Sequence, residues 1–203
     1  MKILAIGRNY VEHIEELNNE RPSEPVVFTK PETALLKNNQ PFYYPSISND
    51  IHHEVEVLLK ICKNGKNIEE KFAHKYYDQI GLGIDFTARD LQTKAKEKGL
   101  PWALAKGFNH SAPISEFRPK SDYKDLNSLN FNLDIDGKTV QKGNTSMVLF
   151  SFDFIISYIS KYITLKKGDI IFTGTPKGVG PIQIGNKLVG YLEGEKLLDF
   201  EIR

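Results

Sequence analysis

The sequence predicts a β-rich α+β fold, built as a single domain over residues 1–203. Three observations carry that prediction. Short segments with strand-like alternation recur along the whole chain, the helical signals between them are brief, and no repeat, low-complexity tract or composition break divides the sequence.

Residues 3–6 read as an opening strand, and residues 11–17 as a short helix ended by Asn18-Asn19. Residues 26–28 form a second strand running into Lys30-Pro31. The proline-bounded stretches 31–41 and 45–50 read as loops, because strands resume on both sides. Residues 54–61 are a strand followed by a turn at 63–66. Residues 80–86 are another, after which Thr87 is placed as the N-cap of a helix. Residues 129–135 pass through the turn Asp136-Gly137 into 139–141 as a hairpin. Residues 151–162 are an amphipathic helix capped by Ser151 or Asp153, and 170–173 are a buried strand. The tail is a hairpin of 187–193 and 196–202 about Gly194-Glu195.

Lys plus Arg total 27 against 26 Asp plus Glu, a formal net charge of +1. No field of one sign points to nucleic acid or to an anionic membrane. The single Cys62 excludes an intrachain disulfide and, with no metal-type cysteine spacing, points to a reducing interior. The apolar run at 3–6 stops at Gly7-Arg8, short of the ~7–15 residues of a secretory signal core. No segment approaches the ~20 apolar residues of a membrane span. The expectation is a soluble cytoplasmic protein.

The chemistry concentrates in His53-Glu54-Val55-Glu56-Val57 and Gly83-Ile84-Asp85-Phe86. Side chains at i and i+2 of a strand leave one face, their Cα atoms roughly 6.6 Å apart, so Glu54 and Glu56 can converge on one cation. Asp85 interrupts an apolar run. Burying three carboxylates requires positive compensation, which a divalent cation supplies directly. Oxygen-only ligands favour Mg²⁺ or Mn²⁺ over Zn²⁺. Two other readings stay open on these residues: the solvated face of an amphipathic strand, and a His52-Glu54-Glu56 site for a softer metal.

His13 and Glu16 share a helix face, where a carboxylate beside an imidazole makes a better base; the same spacing also describes a surface pair. Residues 173–180, Thr-Gly-Thr-Pro-Lys-Gly-Val-Gly, lack the ending of a nucleotide P-loop and read as a backbone cradle for a small carboxylate. Lys106 is a cation among small and apolar residues, either functional or reaching the surface.

Together these segments resemble the fumarylacetoacetate hydrolase family, in particular its small acylpyruvate hydrolase and oxaloacetate decarboxylase members. The matching stretches are Gly7-Arg8-Asn9-Tyr10 with His13, Phe28-Thr29-Lys30-Pro31, His52 to Glu56, Asp85 to Gln92, and Gly99 to Phe108. Gln141 to Thr145 with Met147, and Thr173 to Pro181, complete the series in family order across nearly the whole chain. Asn109-His110 and the C-terminal hairpin depart from the family pattern. The resemblance implies mixed, strongly curved β-sheets rolled as in the family's C-terminal domain, a homodimer, and a Mg²⁺ (or Mn²⁺) site from Glu54, Glu56 and Asp85. It makes His13 and Glu16 a catalytic dyad on a mobile lid helix. It assigns Lys106 to catalysis, and Arg8, Tyr10, Gln141, Gly174 and Thr175 to substrate binding. The implied activity is hydrolysis of the C–C bond of acylpyruvates to pyruvate and a carboxylic acid, through an enolate stabilised by the metal and Lys106. Oxaloacetate decarboxylation or 2-hydroxyhepta-2,4-diene-1,7-dioate isomerisation on the same site is the alternative. A metal-binding small-acid sensor is the non-enzyme reading.

Overall fold

A computed structural model describes residues 1–16 and 20–203. In chain order the strands are β1 (Ile3–Gly7), β2 (Val26–Lys30), β3 (Leu35–Leu36), β4 (Ile51–His53), β5 (Val55–Ile61), β6 (Tyr77–Ile84), β7 (Thr87–Ala88) and β8 (Ala112–Pro113). They continue as β9 (Arg118–Pro119), β10 (Asn130–Ile135), β11 (Lys138–Asn144), β12 (Ile170–Phe172), β13 (Gly180–Pro181), β14 (Lys187–Leu192) and β15 (Glu195–Glu201). The α-helices are α1 (Val11–Glu16), α2 (Glu70–Ala73), α3 (Arg89–Glu97), α4 (Ala103–Lys106) and α5 (Phe152–Tyr162). The predicted β-rich α+β class is what the chain adopts. Leu17, assigned to the first helix from sequence, lies outside the described residues.

A six-stranded mixed sheet, ordered β2-β1-β12-β5-β6-β9, faces a four-stranded antiparallel sheet, β11-β10-β14-β15. Between them lies one continuous core in which Leu4, Val57, Leu59, Leu82, Leu133 and Leu188 are fully enclosed. Strands buried on both faces read as apolar runs, as in Leu58-Leu59 and Ile170-Ile171-Phe172, whereas β10 and β14 alternate. Two small ladders, β13-β4-β7 and β3-β8, close the ends. The hairpin turns use the left-handed region: Asp136 and Gly137 at φ 52° and 79°, then Glu193 and Gly194 at 49° and 79°. The second turn therefore sits one residue before its predicted position. Helix α5 is capped as expected, Ser151 Oγ accepting from Phe154 N at 3.1 Å.

One prediction fails near the functional end. Thr87 does not cap a helix; it pairs in β7, and its hydroxyl donates to Glu54 Oε1 at 3.0 Å. Helix α3 starts at Arg89, and Asp90 Oδ1 takes the neighbouring Leu91 N–H at 2.8 Å. A buried acid next door outcompeted the helix end for the hydroxyl.

Candidate active site

The register of β5 on β6 builds the floor of the site. Val55 lies opposite Ile84 and Glu56 opposite Gly83, so the ladder's next step places Glu54 against Asp85, whose N–H donates to Glu54 O at 2.8 Å. Glu54 itself occupies the break between β4 and β5. The glycine opposite Glu56 is required by packing: a Cβ on Gly83 would lie 2.8 Å from Leu58 Cδ1 and 3.0 Å from Phe172 Cε1. One carboxylate oxygen from each of Glu54, Glu56 and Asp85 lies within 4.8 Å of the others, and all three residues are buried. His52 stays outside this group, its Nε2 2.9 Å from Asp50 Oδ1.

Cations surround the acids unevenly. Lys106 Nζ donates to Glu54 Oε2 at 2.8 Å, Asp85 Oδ2 at 2.6 Å and Thr87 Oγ1 at 2.6 Å, which uses all three of its N–H donors. Lys30 Nζ lies 2.7 Å from Asp85 Oδ1, an ion pair whose geometry falls short of a hydrogen bond. Arg89 donates to Glu54 Oε1 at 2.6 Å and to Gln92 Oε1 at 2.5 Å. The Lys106 and Arg89 charges hold Glu54 below the usual carboxylate range despite its burial. Glu56 is the exception. Its Oε2 accepts the Gly174 N–H at 2.6 Å, and no cationic side chain pairs with it among the described residues. Burial, then the charges of Asp85 and Glu54, push its pKa well up. A buried acid lacking a cation, inside a convergent oxygen-only donor set, is the chemistry a hard divalent ion satisfies; the residues fit Mg²⁺ or Mn²⁺.

Helix α1 brings the second half. Tyr10 O accepts the Ile14 N–H at 3.1 Å, starting the helix, and Ile14 anchors it at 3% exposure. His13, buried, carries its Nδ1 3.2 Å from Glu16 Oε2, while Glu16 Oε1 accepts Gly178 N–H at 2.9 Å. Burial holds the imidazole below its ordinary pKa, with Glu54 and Glu16 pulling the other way. With Nδ1–H directed at Glu16, Nε2 of the neutral ring is the basic atom. Two glycines of the 173–180 loop are required by geometry. Gly174 has φ 104°, and a Cβ there would sit 2.6 Å from Asn9 Cβ; Gly178 has φ 93°, and a Cβ would strike Val140 O.

These elements line one pocket, to which His13, the three acids, Lys106 and Thr175 contribute together with Arg8, Arg89, Gln92, Lys96, Phe28 and Trp102. Glu16 and Gly174 act from behind, through His13 and Glu56. Tyr10 and Gln141 do not line it. Tyr10 is 1% exposed and packs edge-on to Phe131, its hydroxyl unpartnered. Gln141 Oε1 accepts from His53 Nδ1 and Val55 N at 2.9 and 3.0 Å, and its Nε2 donates to Thr175 Oγ1 and Pro176 O at 2.9 and 3.0 Å. Every bond of that carboxamide goes to the protein, so Gln141 braces the Thr175 loop instead of reaching into the pocket. Sequence reasoning gave no separate role to Lys30, Arg89, Gln92 or Trp102.

A family model described as fumarylacetoacetate (FAA) hydrolase C-terminal matches residues 2–200. Oxaloacetate tautomerase FAHD1, mitochondrial, of Mus musculus is 43% identical over 201 residues, covering 99% of this chain and 91% of the relative. The oxaloacetate decarboxylase, mitochondrial, of Dictyostelium discoideum is 48% identical over 185 residues, covering 91% and 85%. Among solved structures, the fumarylpyruvate hydrolase of Pseudomonas aeruginosa in complex with Mn²⁺ and pyruvate superposes with a TM-score of 0.94 at 31% identity, covering 100% of this chain and 89% of that one. The expected cytoplasmic location is overturned by the Mus musculus and Dictyostelium discoideum relatives, whose names place them in mitochondria. A single cysteine does not distinguish one reducing compartment from another.

Proposed function

The chain belongs to the fumarylacetoacetate hydrolase family, and from that premise we propose that it interconverts the keto and enol forms of a small 2-keto acid of the oxaloacetate type, with decarboxylation of the same substrate as a companion activity. The observation that carries the reading is the meeting in one pocket of His13, held neutral beside Glu16, with Glu54, Glu56 and Asp85. Enolisation needs a base at the carbon next to the ketone and positive charge at the ketone oxygen. The oxaloacetate relatives, at 43% and 48% identity, support the substrate class.

Glu54, Glu56 and Asp85 would hold Mg²⁺ or Mn²⁺, which when bound supplies Lewis acidity and a template for the 2-keto acid end. His13 Nε2 takes the proton from the carbon between the ketone and the second carboxylate, and the imidazolium gives it up to the ketone oxygen, so that the enol O–H replaces the broken C–H; the reverse reaction runs the same transfers backward. Glu16 holds the ring's tautomer and stabilises the imidazolium. Lys106 places a fixed positive charge beside the developing oxyanion, and Lys30 and Arg89 keep the acids in place. Thr175, braced by Gln141 and donating to Val55 O at 2.9 Å, shapes the wall next to Glu56.

A second reading is hydrolysis of acylpyruvates, with His13 activating a water; the structural likeness to the fumarylpyruvate hydrolase favours it. Oxaloacetate enol decay and pyruvate release from oxaloacetate, acetylpyruvate and fumarylpyruvate, each with and without Mg²⁺, decide between them. Faster turnover of the acylpyruvates than of oxaloacetate reverses the order of the two readings. The proposal includes the homodimer that the resemblance implies; a monomer in sedimentation removes that part.

A further inference from the structure

Arg8 stands apart from the other cations of the pocket. Lys106 is paired with Glu54 and Asp85, and Arg89 with Glu54. Arg8 lines the same pocket, half-buried, and its guanidinium has no ion pair or side-chain hydrogen bond among the described residues. Its backbone is left-handed at φ 60°, a conformation an arginine adopts only at a cost in free energy. The neighbouring residue enforces it. Asn9, fully buried, donates through Nδ2 to Thr173 O at 2.8 Å and to Phe150 O at 3.2 Å, accepts Phe150 N–H on Oδ1 at 2.8 Å, and accepts Leu149 N–H on its carbonyl at 2.8 Å. Four bonds therefore fix the chain directly after β1, where the strained turn delivers Arg8 to the pocket alongside Trp102 and Phe28. Lys96 lines the same pocket, and burial, then the charges of Arg8 and Arg89, holds it below the ordinary lysine range. The pocket thus carries acids on its floor and a strained cation, directed inward and lacking an anion, on its wall.

We propose that Arg8 is the specificity-determining residue of this site, its guanidinium taking the second carboxylate of a short 2-keto dicarboxylate whose keto-acid end lies at Glu54, Glu56 and Asp85. The inference rests on the reading of the site given above and adds to it the choice of dicarboxylates over monocarboxylic 2,4-diketo acids. Hydrogen bonds to a charged partner are worth about tenfold to a hundredfold in binding.

Arg8→Asn removes the charge with a residue that tolerates the left-handed region, and Arg8→Lys keeps charge without the bidentate fork. The measured quantity is the ratio of kcat/KM for oxaloacetate to that for acetylpyruvate. It is expected to fall at least tenfold in Arg8→Asn, through KM, with partial recovery in Arg8→Lys. A ratio that falls less than tenfold, whether both substrates suffer alike or neither does, overturns the assignment. If the wild-type protein turns over neither substrate, the preceding reading of the site fails. Arg8 is then decided by calorimetry on the Mn²⁺-loaded protein, with oxalate, which has no distal carboxylate beyond the chelating pair, and 3,3-difluorooxaloacetate, which has one. A tenfold weaker Kd in Arg8→Asn for the second ligand alone supports the role, and equal changes for both overturn it.

Discussion

Lys30 Nζ lies 2.7 Å from Asp85 Oδ1, and solvent reaches neither side chain. The same ammonium is ringed by the carbonyls of Phe86, Lys106 and Ser111 and the hydroxyl of Ser111, so one residue of β2 ties together Asp85 and the end of α4 that carries Lys106. Lys30→Met leaves Asp85 with Lys106 alone and strips buried carbonyls of their donor. Breaking a buried ion pair from one side costs about 3–5 kcal/mol. Urea unfolding of the metal-free variant is expected to show a loss of that order, and a loss below about 1 kcal/mol would mean that the pair contributes little.

Glu56→Gln tests the metal. A glutamine keeps an acceptor for Gly174 N–H and removes the one carboxylate that no cationic side chain neutralises. The metal-free variant is therefore expected to melt no lower than the wild type. Added Mg²⁺ stabilises the wild type by binding the folded state, about 2.7 kcal/mol at a hundred times Kd. The variant should lose that increment and most of its activity. A melting shift with Mg²⁺ equal to the wild type's would remove Glu56 from the ligand set.

The acidic half of the site was legible in the sequence because its cost was legible. Glu54, Glu56 and Asp85 sit at positions a strand would fill with apolar residues, and alternation alone puts two of them on one face. The overall class and most strands followed from the same alternation. What the sequence withheld were pairings between distant segments. Thr87 serves Glu54 instead of capping α3, a choice made by an acid 33 positions earlier. Gln141 shares its motif with the pocket residues, yet spends its carboxamide on His53, Val55, Thr175 and Pro176. Lys30 is invisible as a core residue until its carbonyl partners, 56 to 81 residues away, are in place.

His13 sets the pH dependence. Its pKa in the fold lies below the ordinary 6.5, burial being the main cause. A base must be neutral to act, so activity should rise with pH and reach half its plateau below pH 6.5. Glu16 raises the His13 pKa by its hydrogen bond and charge. Glu16→Gln should therefore move the acid limb to still lower pH while reducing the plateau, because the ring is less well held. Stability carries the matching sign. The unfolded chain protonates His13 first, so the folded state loses stability as pH falls from 6.5 through the lower folded value, and His13→Gln should flatten that part of the curve. An acid limb that moves upward in Glu16→Gln would contradict the dyad.

Helix α1 is six residues long and too short to persist in water unaided. Glu12 and Glu16 put like charge four residues apart on it, which weakens it further. Among the described residues it is attached by the buried Ile14, the Glu16 contact with Gly178 N–H at 2.9 Å, and a Glu12–Lys177 pair at 3.2 Å. That pair is more than half exposed on Lys177 and contributes about 1 kcal/mol at most. The segment is therefore expected to open and close, and a ligand that touches His13 in the closed form should shift the balance toward closure. Amide exchange over Val11–Glu16 measures it, first with Mg²⁺ alone and then with Mg²⁺ and oxalate. Protection should rise on adding oxalate, and Gly178→Ala should abolish the rise, since its Cβ would strike Val140 O and displace the N–H that holds Glu16. Full protection with Mg²⁺ alone, unchanged by oxalate, would show a helix already locked down, and His13 would then be positioned before any substrate arrives.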